Sequence, residues 1–269
     1  MSHNRALYSG ASFAKLMGDT ASASRYSQAQ QQVAATLLGH WNGKTLIESS
    51  NRPLDGATLA ALNDGVADDQ PTVFGPTSMY VAGTVKTLIE AFCAEYPINN
   101  QDTENGVPGT LIGRYPGDHY GGGNPWILLT NHLALLFYRG ASYTAETGSI
   151  PDVETMGLWG KVSNKTCVVL GGGGGFFFKK KIACFKIMPH LNPLSNSPQH
   201  VADSFLAAGD GVLQRIRYHV AGDNFHLAEQ LDKHSGYEYS ATDLTWSYGT
   251  MLKAVWYRSL AAKAIKKLK

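Results

Sequence analysis

Cysteine and charge are both scarce in this sequence. Three cysteines (Cys93, Cys167 and Cys184) in 269 residues are odd in number and do not make a disulfide framework. Charged residues make up 16% and the net charge is +2. That balance excludes a broad nucleic-acid footprint, which needs concentrated basic surface. No apolar run approaches the roughly 20 residues of a membrane span. His3, His119, His132, His219 and His226 are scattered, without the His/Cys spacing of a metal centre, so no metal or cofactor is implied. The first residues, Met1-Ser2-His3-Asn4-Arg5, lead directly into a helical pattern and lack the apolar core of a secretory leader. Taken literally the chain is soluble and cytoplasmic, but a fragment of a secreted protein would read the same way, so its compartment stays unassigned.

What is abundant is core and aromatic material. Hydrophobic residues make up 43% and aromatic residues 10%, with five Trp and thirteen Tyr. The length fits one large domain or two small ones. Apolar spacing predicts six helices. The first carries Leu7, Ala11, Ala14 and Met17, and the second Tyr26, Ala29, Val33, Leu37 and Trp41. The third carries Val81, Val85, Leu88, Phe92 and Tyr96 and is expected to stop at Pro97. A fourth runs from Trp126 to about Tyr138 and is apolar nearly all round, which predicts burial between other helices. The fifth spans about Val201 to His219 and the sixth about Asp243 to Ile265. Alternating strand pattern is confined to short pieces near Val168 and Ile182. The fold class is therefore all-α, with helices joined by long polar loops. The loops 97–125 and 220–242 exceed ordinary connection lengths, which marks them as functional. The closing run Lys263 to Lys269 reads as a cation-rich helix end favoured by the helix dipole, ahead of a membrane or nucleic-acid contact.

One segment breaks the pattern. Gly171 to Gly175, Phe176 to Phe178 and Lys179 to Lys181 follow one another as homopolymer runs. A phosphate-binding loop needs spaced glycines and Lys-Ser or Lys-Thr opening a helix, and neither occurs here. Such runs correspond to stretches of G, T and A in a coding strand. Lys161-Val162-Ser163 can encode a splice donor, and Pro198-Gln199 can end in an acceptor. Residues 162–199 therefore read as a translated intron inside one partial domain covering 1–269, with Gly160-Lys161 joined in the true chain to His200-Val201.

Two polar motifs carry the chemistry. The first is Gly113-Arg114-Tyr115-Pro116-Gly117-Asp118-His119-Tyr120, followed by Gly123-Asn124-Pro125-Trp126. The second is Ala228-Glu229-Gln230-Leu231-Asp232-Lys233, followed by Ser240-Ala241-Thr242-Asp243-Leu244-Thr245-Trp246-Ser247-Tyr248. A guanidinium presents fixed donors suited to vicinal hydroxyls, and Trp offers a rigid apolar face with one N–H. Each residue also has a structural explanation. Arg114 and Asp118 could form a loop salt bridge, Trp126 could anchor the core, and Glu229 could pair with Lys233 on the surface. Asp64, Asp68 and Asp69 sit in a loop that matches no acid motif.

Together the two motifs resemble the C-terminal half of the catalytic domain of glucoamylases, the inverting exo-acting glucosidases of glycoside hydrolase family 15. Weaker similarity runs through Ser2–Leu7, Gly10–Ala14 and Tyr96-Pro97-Ile98-Asn99, so the resemblance covers the chain apart from 162–199. It implies half of an (α/α)6 toroid and release of terminal α-1,4-linked glucose, as β-glucose, from starch-like glucans. Glu229 would be the general base that activates water. Arg114, Tyr115, Asp118, Tyr120, Trp126 and Trp246 would line the substrate site. The family's general acid lies in an Asp-Leu-Trp-Glu-Glu motif expected just upstream of the helix at 3–17, so the acid is expected to be missing. The chain departs from the family at Gly117, where Glu is common, at Gly121 and Gly122, and at Thr242, where Arg is common. Half a toroid would expose apolar helix faces and invite self-association. The rival expectations are a non-catalytic carbohydrate-binding or regulatory domain, like those of phosphorylase kinase large subunits, and an inactive gene fragment.

Overall fold

The computed structural model describes residues 1–162, 166–168, 181–183 and 197–268. The helices are α1 (Ser2–Leu16), α2 (Thr20–Leu38), α3 (Ala57–Asp64), α4 (Met79–Glu95), α5 (Pro97–Glu104), α6 (Ile127–Thr147), α7 (Val153–Val162), α8 (Pro198–Val220) and α9 (Thr245–Lys266). Short strands pair in two antiparallel ribbons. One joins β1 (Thr166–Val168) to β2 (Lys181–Ala183), and the other joins β3 (Gln230–Leu231) to β4 (Glu238–Tyr239). All six expected helices are present, and so are the short strands near Val168 and Ile182. The homopolymer runs and most of 162–199 lie outside the described residues.

Helix α6 is the axis of the packing. It is buried without a break from Ile127 to Ser142 and runs well beyond the expected end at Tyr138. Helices α8 and α9 pack against it on two sides, and α3 adds a third contact. The approach of α6 and α8 is close because Gly209 has no side chain; a Cβ there would lie 2.5 Å from the ring of Tyr138. Elsewhere helix starts follow local chemistry. The Asp19 side chain accepts from the Ser22 amide at 2.9 Å to open α2, and that of Ser197 from the His200 amide at 3.2 Å to open α8.

Three helices escaped apolar spacing; α5 corrects the loop assigned to 97–125, and α3 takes in Asp64, which was expected in a loop. Helices α3, α5 and α7 are only 8, 8 and 10 residues long, too short for a repeating apolar face to stand out. Pro97 does follow the end of α4 at Glu95, but it also opens α5 at its first turn, where a missing N–H costs nothing. The supposed loop 97–125 thus contains α5 and a 3-10 turn at Tyr120–Gly122. The supposed loop 220–242 contains a 3-10 turn at Ala221–Asp223 and the β3–β4 ribbon.

The burial is uneven. In the α1–α2 hairpin, α2 has no buried residue at all, and Phe13, Leu16 and Met17 of the α1 end are more than 60% exposed. On α9, Leu252 and Trp256 are also mostly exposed. Apolar helix faces do remain open, as half a helical array requires. Among the described residues no helix is long and apolar enough to cross a membrane.

A buried polar knot holds α5 under the loop that leads to Arg114. The Asn99 amide donates to the carbonyls of Phe92 (3.1 Å) and Leu111 (3.0 Å), and its Oδ1 accepts from the Leu111 N–H at 2.8 Å. Arg215, fully buried, donates to the carbonyls of Asn99, Val107 and Pro108 and pairs with Asp102 at 3.3 Å. His219 Nε2 meets the same Asp102 oxygen at 2.7 Å. Removing the Asn99 amide leaves the buried N–H and carbonyl of Leu111 without that partner. Asn99→Ala is expected to destabilise the chain by about 3 kcal/mol, read as a lowered midpoint in urea denaturation; an unchanged midpoint would show that the knot is dispensable.

Candidate active site

The two motifs meet at the N-terminus of α6. A helix start leaves amides without intrahelical partners, and here the motif loops supply acceptors. Trp126 N–H donates to the Ile112 carbonyl at 2.9 Å, and Ile127 N–H donates to the Glu229 carbonyl at 3.2 Å. Leu231 N–H donates back to the Pro125 carbonyl at 3.0 Å, and Thr130 Oγ1 accepts from the Ile112 amide at 3.0 Å. Isolated bridges join Gly113 to Pro125 and Trp126 to Gln230. The backbone of both loops is therefore set by one helix end.

Arg114 lies at the centre of an aromatic cluster. Its guanidinium carbon is 5.3 Å from the ring centre of Tyr115, 5.1 Å from that of Tyr120 and 5.9 Å from that of Trp126. Ring faces at such distances attract the cation through their negative quadrupole and hold it in place. The rings of Tyr120 and Trp126 are 6.0 Å apart. Asp118, nearly buried, stands 3.5 Å from the Arg114 guanidinium, and its Oδ1 accepts from the Tyr120 amide at 3.1 Å. The loop salt bridge considered from sequence is thus present, but it is long and leaves Asp118 Oδ2 without a hydrogen bond.

Glu229 is half-buried beside this cluster. Its Oε2 accepts from the Gln230 amide at 3.2 Å and from the Ser240 hydroxyl in a short bond. Its own N–H donates to the Ala241 carbonyl at 2.8 Å. Ser240 reaches it from a left-handed backbone conformation (φ 71°), which is costly for a residue with a side chain and occurs where the surroundings impose it. Lys233 does not neutralise Glu229. Its ammonium donates to the Gly122 carbonyl at 2.8 Å.

Asp118 Oδ2, whose one contact is the long ion pair with Arg114, and Trp126 Nε1 and Gln230 Oε1 are buried here without a hydrogen-bond partner. Buried polar atoms are nearly always satisfied, so a group of orphans with both donor and acceptor character marks a place for a polar ligand. A sugar, with hydroxyls that donate and accept, matches that set. Trp246, 58% exposed at the start of α9, is joined to the group through its neighbour, since Ser247 Oγ donates to the Ala228 carbonyl at 2.9 Å. Thr242 is exposed. Among the described residues no group of three or more His, Cys, Asp or Glu is placed to hold a metal.

The structure adds residues that sequence reasoning did not single out. Gln230, fully buried, orients Glu229 and needs Gly121, where a Cβ would stand 2.7 Å from its amide nitrogen. Gly121 also has φ +54°. The segment Arg52–Gly56 backs the Arg114 loop: Gly56 N–H donates to the Arg114 carbonyl at 2.6 Å, and a methyl at Gly56 would overlap the Gly113 carbonyl oxygen. Arg52 lies over the other ring of the wall, 4.6 Å from the centre of Tyr115, and 4.0 Å from Asp55. Burial raises the Asp55 carboxyl above its usual range, opposed by the Ala57 amide and by Arg52 and Arg114. No motif marks Arg52, Asp55 or Gly56; only their apposition across the fold reveals them.

Comparisons with known proteins show the family and the fold. The profile of the glycosyl hydrolases family 15 matches residues 1–256, and the chain belongs to that family. It is 29% identical over 277 residues to glucoamylase 1 of Rhizopus oryzae, a match covering 97% of this chain and 42% of that protein. It is 31% identical over 225 residues to glucoamylase GLA1 of Saccharomycopsis fibuligera, over 81% of this chain and 41% of that one. The family 15 glucoamylase structure from Hypocrea jecorina superposes with a TM-score of 0.70 at 26% identity, over 95% of this chain and 40% of that one. The glucoamylase structure from Saccharomycopsis fibuligera gives a TM-score of 0.70 at 24% identity, over 96% and 54%. The expected all-α, partial six-hairpin fold is therefore present. The chain spans about half or less of the length of the relatives it matches.

Two outcomes test the local geometry. Gly121→Ala is expected to cost about 1–2 kcal/mol of stability through its positive φ and the push against Gln230, measured by urea denaturation; no change would mean that the turn relaxes freely. His226 Nδ1 lies 2.7 Å from Asp243, whose other partner is the Tyr248 hydroxyl in a short bond. The bond to Asp243 raises His226 above its ordinary value, while the Tyr248 and His226 bonds lower Asp243. The contribution from His226 is complete below its ordinary pKa and is lost as pH rises through the raised one. That from Asp243 is complete above its ordinary pKa and is lost as pH falls through the depressed one. The contact that closes 226–243 is thus intact between roughly pH 4 and 6.5. NMR titration should show His226 returning to an ordinary value in Asp243→Asn; an unmoved midpoint would deny the contact.

Proposed function

We propose that the chain contributes the general-base side of a glucoamylase-type site that hydrolyses terminal α-1,4-linked glucose from starch-like glucans with inversion, releasing β-glucose. The observation that carries this reading is the convergence of Glu229 with a ring-flanked guanidinium and three buried polar atoms without hydrogen-bond partners at one helix end. Glu229 is the base: Ser240 and Gln230 hold one carboxylate oxygen, which leaves the other to take a proton from water. Arg114 holds glucose hydroxyls, Asp118 accepts from them, and Tyr115, Tyr120, Trp126 and Trp246 supply apolar faces. No cofactor takes part.

Inversion needs a second carboxyl group that protonates the leaving oxygen, on the far side of the bond from the base. The family's Asp-Leu-Trp-Glu-Glu motif does not occur in this chain. We therefore assign the proton donor to the portion of the relatives' length that this chain does not span, and expect the chain alone to release glucose weakly at most. The matching test uses maltotriose, with glucose release followed by NMR of the anomeric proton and binding by titration. Glu229→Gln should lower any release by about 10²–10⁴-fold while glucan binding persists. Arg114→Ala should weaken binding by roughly tenfold. Glucose release that survives Glu229→Gln would remove Glu229 as base; binding with no release in an extended chain would favour a non-catalytic glucan-binding domain.

We further propose that residues 162–199 are a translated intron. The segment takes in Val162, the last residue of α7, and Pro198 and Gln199, the first of α8, so it sits at the junction of two helices of the array. A transcript joining codon 161 to codon 200 is expected; genomic sequence without splice dinucleotides at those points would refute it.

A further inference from the structure

A polar cavity of about 530 Å3 lies between the 66–76 segment, the C-terminal half of α6 and α9. Its lining includes Asp68, Asp69, Gln70, Tyr143, Glu146 and Tyr257. Its size falls within the roughly 300–1,000 Å3 of small-molecule sites. It is remote from Glu229. Tyr143 is sixteen residues along α6 from Ile127, or roughly 24 Å at about 1.5 Å per residue.

The chemistry of the lining is specific. Gln70 is 6% exposed, and its Nε2 is buried with no hydrogen-bond partner. The amide orientation is set, because Oε1 accepts from the Ala67 amide at 3.3 Å. A buried donor without an acceptor calls for a ligand that brings one. Arg139, the cation of the lining, is already occupied: it donates to the carbonyls of Leu62, Asn63 and Val66 and pairs with Asp68 at 2.9 Å. Asp68 is held further by the Tyr257 hydroxyl at 2.5 Å. The carboxylates of Asp69 and Glu146 bring negative charge and acceptor oxygens. An anion is disfavoured by those carboxylates. A metal is disfavoured because no described cluster of His, Cys, Asp or Glu could hold one. A simple ammonium donates only and would leave Gln70 unsatisfied. A neutral ring bearing hydroxyls both donates and accepts, and its C–H face can lie on the partly exposed Tyr143 ring.

We infer that this cavity is a second, non-catalytic binding site for a glucosyl unit of an α-glucan, remote from the Glu229 site. The choice of glucan rests on the proposed function, whereas the donor, acceptor and ring arrangement does not. A polymer held there as well as at Glu229 dissociates more slowly, since two linked contacts raise the effective concentration of each.

The test is calorimetric titration of the full chain with maltoheptaose, beside Tyr143→Ala, Tyr143→Phe, Gln70→Met and Arg114→Ala, each checked for an unchanged melting transition. Two classes of site are expected. Tyr143→Ala and Gln70→Met should each weaken one class by roughly tenfold, Tyr143→Phe should keep it, and the class that depends on Arg114 should not move. A single site lost in Arg114→Ala and indifferent to Tyr143 and Gln70 overturns the second site and leaves the proposed function standing. Binding that survives Arg114→Ala but fails in Tyr143→Ala supports the second site and removes the glucan reading of the first. Absence of maltoheptaose binding in the unaltered chain overturns both.

Discussion

The start of α6 governs much else in this structure. A buried helix cannot leave its first amides unpaired, and water is excluded where Trp126 and Ile127 enter the core. The acceptors come from Ile112 and Glu229, one from each motif loop. Two segments more than a hundred residues apart are thereby brought to one place by ordinary backbone pairing. The same pairing sets Gln230 beside Trp126 and brings the Glu229 side chain to Ser240. Everything beneath this junction, from the Asn99 knot to the Arg52–Gly56 backing strip, keeps the two loops from shifting.

The distribution of apolar surface belongs to the same account. Helix α6 is enclosed by α3, α8 and α9, whereas the α1–α2 hairpin and the outer side of α9 present Phe13, Leu16, Leu252 and Trp256 to solvent. A groove of about 750 Å3 between α1 and α2, lined by Leu7, Phe13, Met17 and Tyr26 among others, is part of that open face and lies apart from Glu229. In a closed helical toroid such faces would be covered, and the chain matches only about half of the solved glucoamylase chains. The polar chemistry is concentrated where the fold is densely packed, not where the large apolar groove lies.

Much of the array was legible in sequence, because long amphipathic helices repeat their pattern often enough to be read. Helices α4, α6, α8 and α9 emerged from apolar spacing alone, and even the all-round burial of α6 followed from its lack of a polar face. Helices α3, α5 and α7 did not, since two or three turns give too few repeats to separate a buried face from chance. The β3–β4 ribbon is two residues deep on each side and has no alternation to detect. Likewise the motif residues could be named, but each retained a structural explanation until its partners were known.

By itself, the sequence determined the all-α class, the main helices, the family resemblance and the candidate site residues, because these depend on local period and residue type. Only the tertiary structure decided which partners each of them meets. It sent Lys233 to a carbonyl and left Glu229 to Ser240 and Gln230. It also left atoms of Asp118, Trp126 and Gln230 buried without hydrogen-bond partners, and Gln70 likewise at the far end of α6. Whether a polar atom is satisfied depends on neighbours distant in sequence, and no local pattern encodes that.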